Sequence, residues 1–380
     1  MNSFTFHLPT KVIFGRGSLS KLGEEAAKLG KSCLIVTGRS FARKSGYLDL
    51  IEESLSKSGL KVFVFDQVEP NPSIGTVYKG AELARQSGCD VMIAFGGGSV
   101  IDAAKAIAFL ALNDVILEDY FAPKEVIAPA APVLALPTTC GTGSEVTRYS
   151  LLTDVANRRK RVLMGMPILP RTALLDASVL NVLSKQMVAY TGFDALSHSF
   201  EALLSKSSTK ISDLFASDSI VSVFGNLLEA YGGDLEARER VFYGSMLAGI
   251  AINSTGTVIV HGMGYYLTNY HDVHHGLANA VLLSHVLRFE GDAARDKFER
   301  VAINLGLKGM SSLIDSIESL ADKVGIPRSI AELGVREGEL DTMAADAMSY
   351  SRNMENNPVK VSVNEIREIC AKALRGRGAG

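Results

Sequence analysis

Four cysteines in 380 residues leave little room for thiolate chemistry. Cys33, Cys89, Cys140 and Cys370 are far apart with no Cys-x-x-Cys pair, which suits neither a disulfide framework nor a thiolate zinc site. Long apolar runs are lacking too: Val133 to Pro137 and Val281 to Leu283 fall far short of the ~20 residues that cross a bilayer. No membrane partner is expected. Nor is there an excess of one charge. The net charge is -2, and Lys, Arg, Asp and Glu are interspersed instead of gathering into a basic arm or acidic tail, so no nucleic-acid partner is expected either. The start, Met1-Asn2-Ser3-Phe4-Thr5-Phe6, has neither the basic residues nor the apolar stretch of a secretory signal, which makes a cytoplasmic protein the expectation. What the chain does have is apolar mass: 47% of its residues are hydrophobic, enough for two cores. Chemistry is therefore to be sought in histidines, carboxylates and glycine-rich turns.

The chain has two textures. Up to about residue 180, Cys33 to Thr37, Lys61 to Asp66, Val91 to Phe95, Val133 to Pro137 and Ala173 to Asp176 read as strands. Amphipathic stretches such as Phe41 to Ser58 and Ile74 to Gly88 lie between the early ones, and this alternation predicts a parallel sheet covered by helices on both faces. Beyond Leu180 the apolar spacing turns helical, with Lys185 to Ser205, Ile211 to Tyr231, Leu235 to Thr255 and Ile314 to Val324 as helices. An all-helical second domain follows.

Two loops in the first half suit a dinucleotide. The strand Val91 to Phe95 runs into Gly96-Gly97-Gly98-Ser99-Val100-Ile101-Asp102, and Ala103 to Leu110 is strongly helical. Glycines let the backbone approach phosphate oxygens, and a helix N-terminus favours an anion. The pattern is not G-x-G-x-x-G, and a purely structural turn is the competing reading. After Val133 to Leu136 comes Pro137-Thr138-Thr139-Cys140-Gly141-Thr142-Gly143-Ser144-Glu145, whose hydroxyls suit a phosphate, a ribose or a carboxamide, or else bond their own backbone. Both loops follow strands at their carboxyl ends, where open α/β sheets bind ligands.

Asp194 and His198 stand four apart in a helical stretch, which places both on one face. His261-Gly262-Met263-Gly264 and His274-His275-Gly276 follow, and their glycines suggest unusual backbone. Of seven histidines, five (His198, His261, His271, His274, His275) lie between residues 198 and 275, so a metal site competes with hydrogen-bonded structural histidines. Three imidazoles and a carboxylate would suit Fe(II), Zn(II), Co(II) or Ni(II) and disfavour magnesium or calcium.

With these residues in view, the sequence resembles the iron-containing, or group III, alcohol dehydrogenase family. The resemblance runs from Val12-Ile13-Phe14-Gly15-Arg16-Gly17 through Glu69-Pro70-Asn71-Pro72, the glycine turn, the Thr138 loop and the histidine segments to Asn357-Pro358. It implies a dehydroquinate synthase-like fold: a Rossmann-like dinucleotide-binding α/β domain over residues 1–180 and an all-helical metal-binding domain over 181–380, with the metal in the cleft between them. It implies a homodimer, Fe(2+) with Zn(2+) as alternative, and hydride transfer between a nicotinamide dinucleotide and a small alcohol or aldehyde. Carried over by position, Asp194, His198, His261 and His275 become the metal ligands. Asn71, Gly98, Ser99, Thr138, Thr139, Thr142, Thr147, Tyr149 and Lys160 become cofactor contacts, with Gly96, Gly97 and Asp102 shaping or flanking the phosphate turn. Lys160, in Arg158-Arg159-Lys160-Arg161, has an ordinary surface charge as its alternative.

Two departures bear on specificity. Where many NAD-preferring members carry an Asp after the first of these strands, this chain has Gly38, Arg39 and Ser40. Removing an anion and adding a cation favours NADP(H), whereas Asp66 is the alternative ribose partner and would give NAD(H). Tyr265 stands where several members have a further histidine, so His274, or a water leading through Tyr265, is the candidate proton relay. Glycerol dehydrogenase, a dehydroquinate-synthase-like lyase and a non-catalytic nucleotide-binding regulator are the rivals. No Lys or Arg lies between Thr191 and Ser199 or between Val260 and Ala280, which favours a neutral substrate over a polyanion.

Overall fold

The computed structural model describes residues 3–378; Met1 and Asn2 of the amino-terminal stretch read above, together with Ala379 and Gly380, lie outside the described residues. Two compact units result. One takes His7–Thr139 and Ser144–Leu183; the other takes the chain from Ser184 onward together with Cys140–Gly143 and the amino-terminal residues through Phe6.

The first unit holds a six-stranded, all-parallel sheet. Its strands are β1 (Lys11–Phe14), β2 (Ser32–Gly38), β3 (Lys61–Val68), β4 (Val91–Gly96), β5 (Val133–Pro137) and, after a two-stranded antiparallel hairpin of β6 (Tyr149–Asp154) and β7 (Arg159–Met164), β8 (Thr172–Leu175). The order is β1-β8-β5-β4-β2-β3. β4 and β5 are buried along their whole length, which is why they read as continuous apolar runs without alternation. Leu34, Val36, Met92, Ala94 and Ala135 pack with Ala81, Ala104, Ile107 and Leu117 in one core. The chain turns from β2 to β3 on one side and places β4 on the other side of β2, so the loops after β2 and β4 flank a reversal of strand order.

The five strands expected in this half are present, and β1, β6 and β7 are additional. The stretch Phe41 to Ser58 is not one helix but two, Phe41–Lys44 and Tyr47–Lys57, because Gly46 takes φ 75 between them.

The second unit is mostly helical. Lys185–Leu204 starts on Ser184, whose hydroxyl accepts from Met187 N, and Leu235–Thr255 starts on Asp234, whose carboxylate accepts from Ala237 N. Ile211 to Tyr231, expected as one helix, is broken at Gly225 and Asn226 into Lys210–Phe224 and Leu227–Gly232. Among the described residues no single helix is long and apolar enough to cross a membrane.

His285, in this unit, is buried with Nε2 unpartnered among the described residues. Burial, helped by Arg377 and opposed by Glu318, lowers its imidazole from 6.5 to about 4. A lowered histidine means the unfolded chain binds the extra proton first. Stability is then complete above pH 6.5 and is lost as pH falls through the interval down to about 4, by up to about 3 kcal/mol. Urea midpoints across that interval should fall for the native protein and fall less for His285→Gln; parallel slopes would contradict this assignment.

Candidate metal centre and nucleotide loops

Three elements of the helical unit carry the metal candidates. Asp194 and His198 lie on Lys185–Leu204, His261 on the helix Ile259–Tyr270, and His275 is the first residue of the helix His275–Glu290. The glycines of the His261 and His275 segments allow unusual backbone, but these segments do not use it. They are helical instead, and the glycines serve close approach: a Cβ on Gly264 would stand 2.4 Å from Asn279 Oδ1, and one on Gly276 would stand 2.3 Å from the Tyr190 carbonyl oxygen.

The four side chains converge. Asp194 Oδ1 is 3.9 Å from both His261 Nε2 and His275 Nε2, and the three atoms lie within 4.8 Å of one another. His198 Nε2 is 3.0 Å from His261 Nε2. Asp194, His198 and His261 are buried, and His275 is half-buried. Burial raises the Asp194 carboxyl, but His198, His275 and His261 with the Asn279 amide outweigh it and hold it at about 2. The carboxylate is thus ionised at any ordinary pH.

The outer nitrogens decide whether this set fits a cation. His198 Nδ1 lies 3.2 Å from the Gly141 carbonyl oxygen, an acceptor, so Nδ1 carries the hydrogen. His261 Nδ1 donates to the Glu201 carboxylate through Oε2. Neutral imidazoles with hydrogen on Nδ1 present lone pairs at Nε2. Two lone-pair nitrogens 3.0 Å apart repel unless both address a common cation, a metal ion or a shared proton. Asn279 Nδ2 lies among the same atoms, 2.9 Å from Asp194 Oδ1, 3.1 Å from His261 Nε2 and 3.3 Å from His275 Nε2. The donor set therefore fits a divalent ion, and these four residues are the ones that would hold it.

Glu201 and Asn279 were missed by the sequence reading. Glu201 is fully buried; its Oε1 accepts from Val258 N at 2.9 Å and His261 N at 3.2 Å, so it caps a helix whose own N-cap, Val258, has no capping side chain. Both residues had a signal: Asp194, His198 and Glu201 follow i, i+4, i+7 on one helix face, and His275 and Asn279 are four apart on another.

The relay candidates have structural tasks of their own. His274 is the N-cap of His275–Glu290 and its Nδ1 accepts from Gly276 N at 3.2 Å. Tyr265 is buried and stacks on His275 with centroids 5.8 Å apart, and burial raises its phenol far above the ordinary range, which makes it a poor acid.

In the α/β unit the nucleotide candidates follow β2, β3, β4 and β5 or lie on and just before the hairpin of β6 and β7. Gly98 and Ser99 open the helix Gly98–Leu112, whose N-cap Gly97 has no side chain to cap it. A Cβ on Gly96 would fall 2.5 Å from Val100, and one on Gly97 would fall 3.1 Å from Thr139, so this turn tolerates little beyond glycine. Asn71, at φ 57, donates its N–H to Ser99 Oγ at 3.2 Å and accepts from Lys160 Nζ through Oδ1 at 2.8 Å. The surface reading of Lys160 is thereby corrected: the residue is 7% exposed, and burial lowers its ammonium to about 8 against the pull of Asp102. Thr138, Thr147 and Tyr149 are buried, and Thr139 is half-buried. Thr142 belongs to the helical unit instead. Gly38 ends β2, with Arg39 and Ser40 exposed after it. Asp66, the alternative ribose partner, is engaged by Arg43, whose Nε and Nη2 donate to Oδ2 at 2.9 and 2.8 Å.

Known proteins resemble the chain over nearly its whole length. The family model described as iron-containing alcohol dehydrogenase matches residues 9–177, and that of the C-terminal part of the Fe-containing alcohol dehydrogenase family matches residues 188–374. The chain is 36% identical to 1,3-propanediol dehydrogenase of Citrobacter freundii over 98% of its own length and 99% of the relative's. It is 32% identical to NAD-dependent methanol dehydrogenase of Bacillus methanolicus (97% and 99% covered) and 33% identical to NADPH-dependent butanol dehydrogenase of Clostridium saccharobutylicum (96% and 96%). A crystal structure of 1,3-propanediol oxidoreductase superposes with a TM-score of 0.93 at 35% identity, covering 98% of this chain and 100% of that one. The chain belongs to the iron-containing alcohol dehydrogenase family. It is an oxidoreductase acting on alcohols or aldehydes, of a family that uses a divalent metal and a nicotinamide dinucleotide.

Proposed function

We propose that this enzyme interconverts small, neutral primary alcohols and their aldehydes with NADP(H) preferred over NAD(H), holding iron, or zinc as the alternative, on Asp194, His198, His261 and His275. A homodimer in the cytoplasm completes the reading. The observation that carries it is the pair of Nε2 atoms 3.0 Å apart, with both Nδ1 atoms committed to acceptors. When bound, the cation supplies Lewis acidity at the substrate oxygen and the dinucleotide supplies the hydride chemistry. The chain's own residues orient and exclude water. Glu201 and the Gly141 carbonyl fix two imidazoles, and Asn279 holds the carboxylate of Asp194. The absence of Lys and Arg from the ligand segments supports a neutral substrate over a polyanion.

The cofactor preference rests on the end of β2. Gly38 offers no carboxylate to a ribose, Arg39 is exposed beside it, and Asp66 is already paired with Arg43. A side chain at 38 is sterically permitted, since a Cβ there would be 3.5 Å from the nearest atom, the Val68 carbonyl oxygen. Initial rates of aldehyde reduction should favour NADPH in the native enzyme. In Gly38→Asp the ratio of kcat/KM for NADPH to that for NADH should drop by about tenfold or more, because the new carboxylate attracts a ribose 2′-hydroxyl and repels a 2′-phosphate. Faster reduction with NADH by the native enzyme would overturn the preference.

A further inference from the structure

One fully buried cation in the α/β unit belongs to no part of the site assigned so far. Lys105, in the helix Gly98–Leu112, is 0% exposed among alanine, isoleucine and phenylalanine neighbours. Its ammonium has three donors and meets three acceptors: Ser144 Oγ at 2.7 Å, Thr147 Oγ1 at 3.2 Å and the Tyr149 carbonyl oxygen at 2.7 Å. Asp102, one turn before it, completes the arrangement 3.6 Å away. Ser144 Oγ donates in turn to Asp102 Oδ1 at 2.5 Å, Asp102 Oδ2 accepts from Leu151 N at 3.0 Å, and the Asp102 carbonyl accepts from Ser150 Oγ at 2.7 Å. The helix that begins at the glycine turn is thus clamped to residues 144–151 by one lysine and one aspartate.

Desolvating an ammonium is costly, and an apolar helix former at 105 would fill this core without that penalty. The fold alone does not account for the charge. What the charge does is fix the Thr147 hydroxyl and the Tyr149 main chain relative to Gly98 and Ser99 on the same helix. Glu145, on the clamped segment, is also buried and has Oε1 unpartnered among the described residues, so the ammonium also faces a second acid.

We infer that Lys105 is a positioning residue for dinucleotide binding: it holds the 144–149 segment in register with the glycine turn so that both engage one dinucleotide. This rests on the reading that the turn, Thr147 and Tyr149 form the dinucleotide site.

The test uses the metal-loaded, full-length enzyme and NADPH as the probe, titrated by nicotinamide fluorescence, with steady-state kinetics and metal content measured alongside. Lys105→Met keeps the length and removes the charge. Lys105→Gln keeps a polar group for Ser144 and the Tyr149 carbonyl without the charge and carries the test if Lys105→Met does not fold. Lys160→Met controls for the site itself. Loss of register should weaken NADPH about tenfold to a hundredfold, with kcat at saturating NADPH within about threefold of native and metal content unchanged. Native affinity in a folded Lys105 variant, with weakened binding in Lys160→Met, overturns the role of Lys105 alone. Native affinity in both overturns the placement of the site. A kcat that collapses together with affinity assigns Lys105 to general stability and overturns positioning.

Discussion

His261→Ala is expected to purify with far less than one divalent ion per chain and to lose turnover by on the order of 1,000-fold, since a metal acting on the substrate oxygen is worth several kcal/mol of the barrier. The reason lies in the geometry around one nitrogen. His261 Nε2 is 3.0 Å from His198 Nε2 and 3.9 Å from Asp194 Oδ1, so its removal takes away a donor atom that stands close to two others. The same truncation leaves the buried Glu201 carboxylate without its imidazole, at a cost of about 1 to 3 kcal/mol of stability. Metal analysis and NADPH oxidation in the presence of added Fe(2+) and Zn(2+) measure both losses. Full turnover by metal-free His261→Ala would contradict the metal assignment.

Glu201 offers the second large effect, and two substitutions separate its tasks. Glu201→Ala removes the acceptor from His261 Nδ1 and from the backbone N–H groups of Val258 and His261, all of them buried. The helix Ile259–Tyr270 loses its cap, and the melting temperature should fall. Glu201→Gln keeps an acceptor for the backbone but turns an amide N–H toward Nδ1. Imidazole then accepts at Nδ1 and carries its hydrogen on Nε2, where the lone pair should be. Metal affinity is expected to fall about tenfold to a hundredfold in Glu201→Gln with little change in melting, and at least as far in Glu201→Ala with a clear loss of stability. Chelator competition together with thermal melting reads the two. Native metal affinity in Glu201→Gln would show that the tautomer of His261 does not matter.

The sequence spoke most clearly where burial made the pattern one-sided. β4 and β5 are buried from end to end, and as continuous apolar runs they announced the parallel sheet. Leu235–Thr255 declared itself by helical spacing. β1 did not: it is a four-residue strand at the edge of the sheet with two exposed positions, so it has too little pattern to read. β6 and β7 alternate imperfectly, and Lys160, between Arg159 and Arg161 on β7, had a surface charge as its alternative although it is buried against Asn71.

In the site, the one ligand pair on a single helix, Asp194 and His198, could be read from spacing, whereas the meeting of His198 with His261 is a tertiary contact across 63 residues. Gly262, Gly264 and Gly276 left the backbone open in the sequence; they are helical residues whose missing Cβ lets Met354, Asn279 and Tyr190 come close. Lys105 gave a signal that went unused: a single ammonium inside Ala103 to Leu110 is a charge on an otherwise apolar face, and such a charge is buried only with partners.

Anomalous diffraction from crystals of the metal-loaded enzyme, recorded at the iron and zinc edges, addresses the central claim most directly. One strong peak is predicted, bonded by an Asp194 oxygen and by the Nε2 atoms of His198, His261 and His275. A peak held by other residues, or none in crystals of fully active enzyme, would contradict the account.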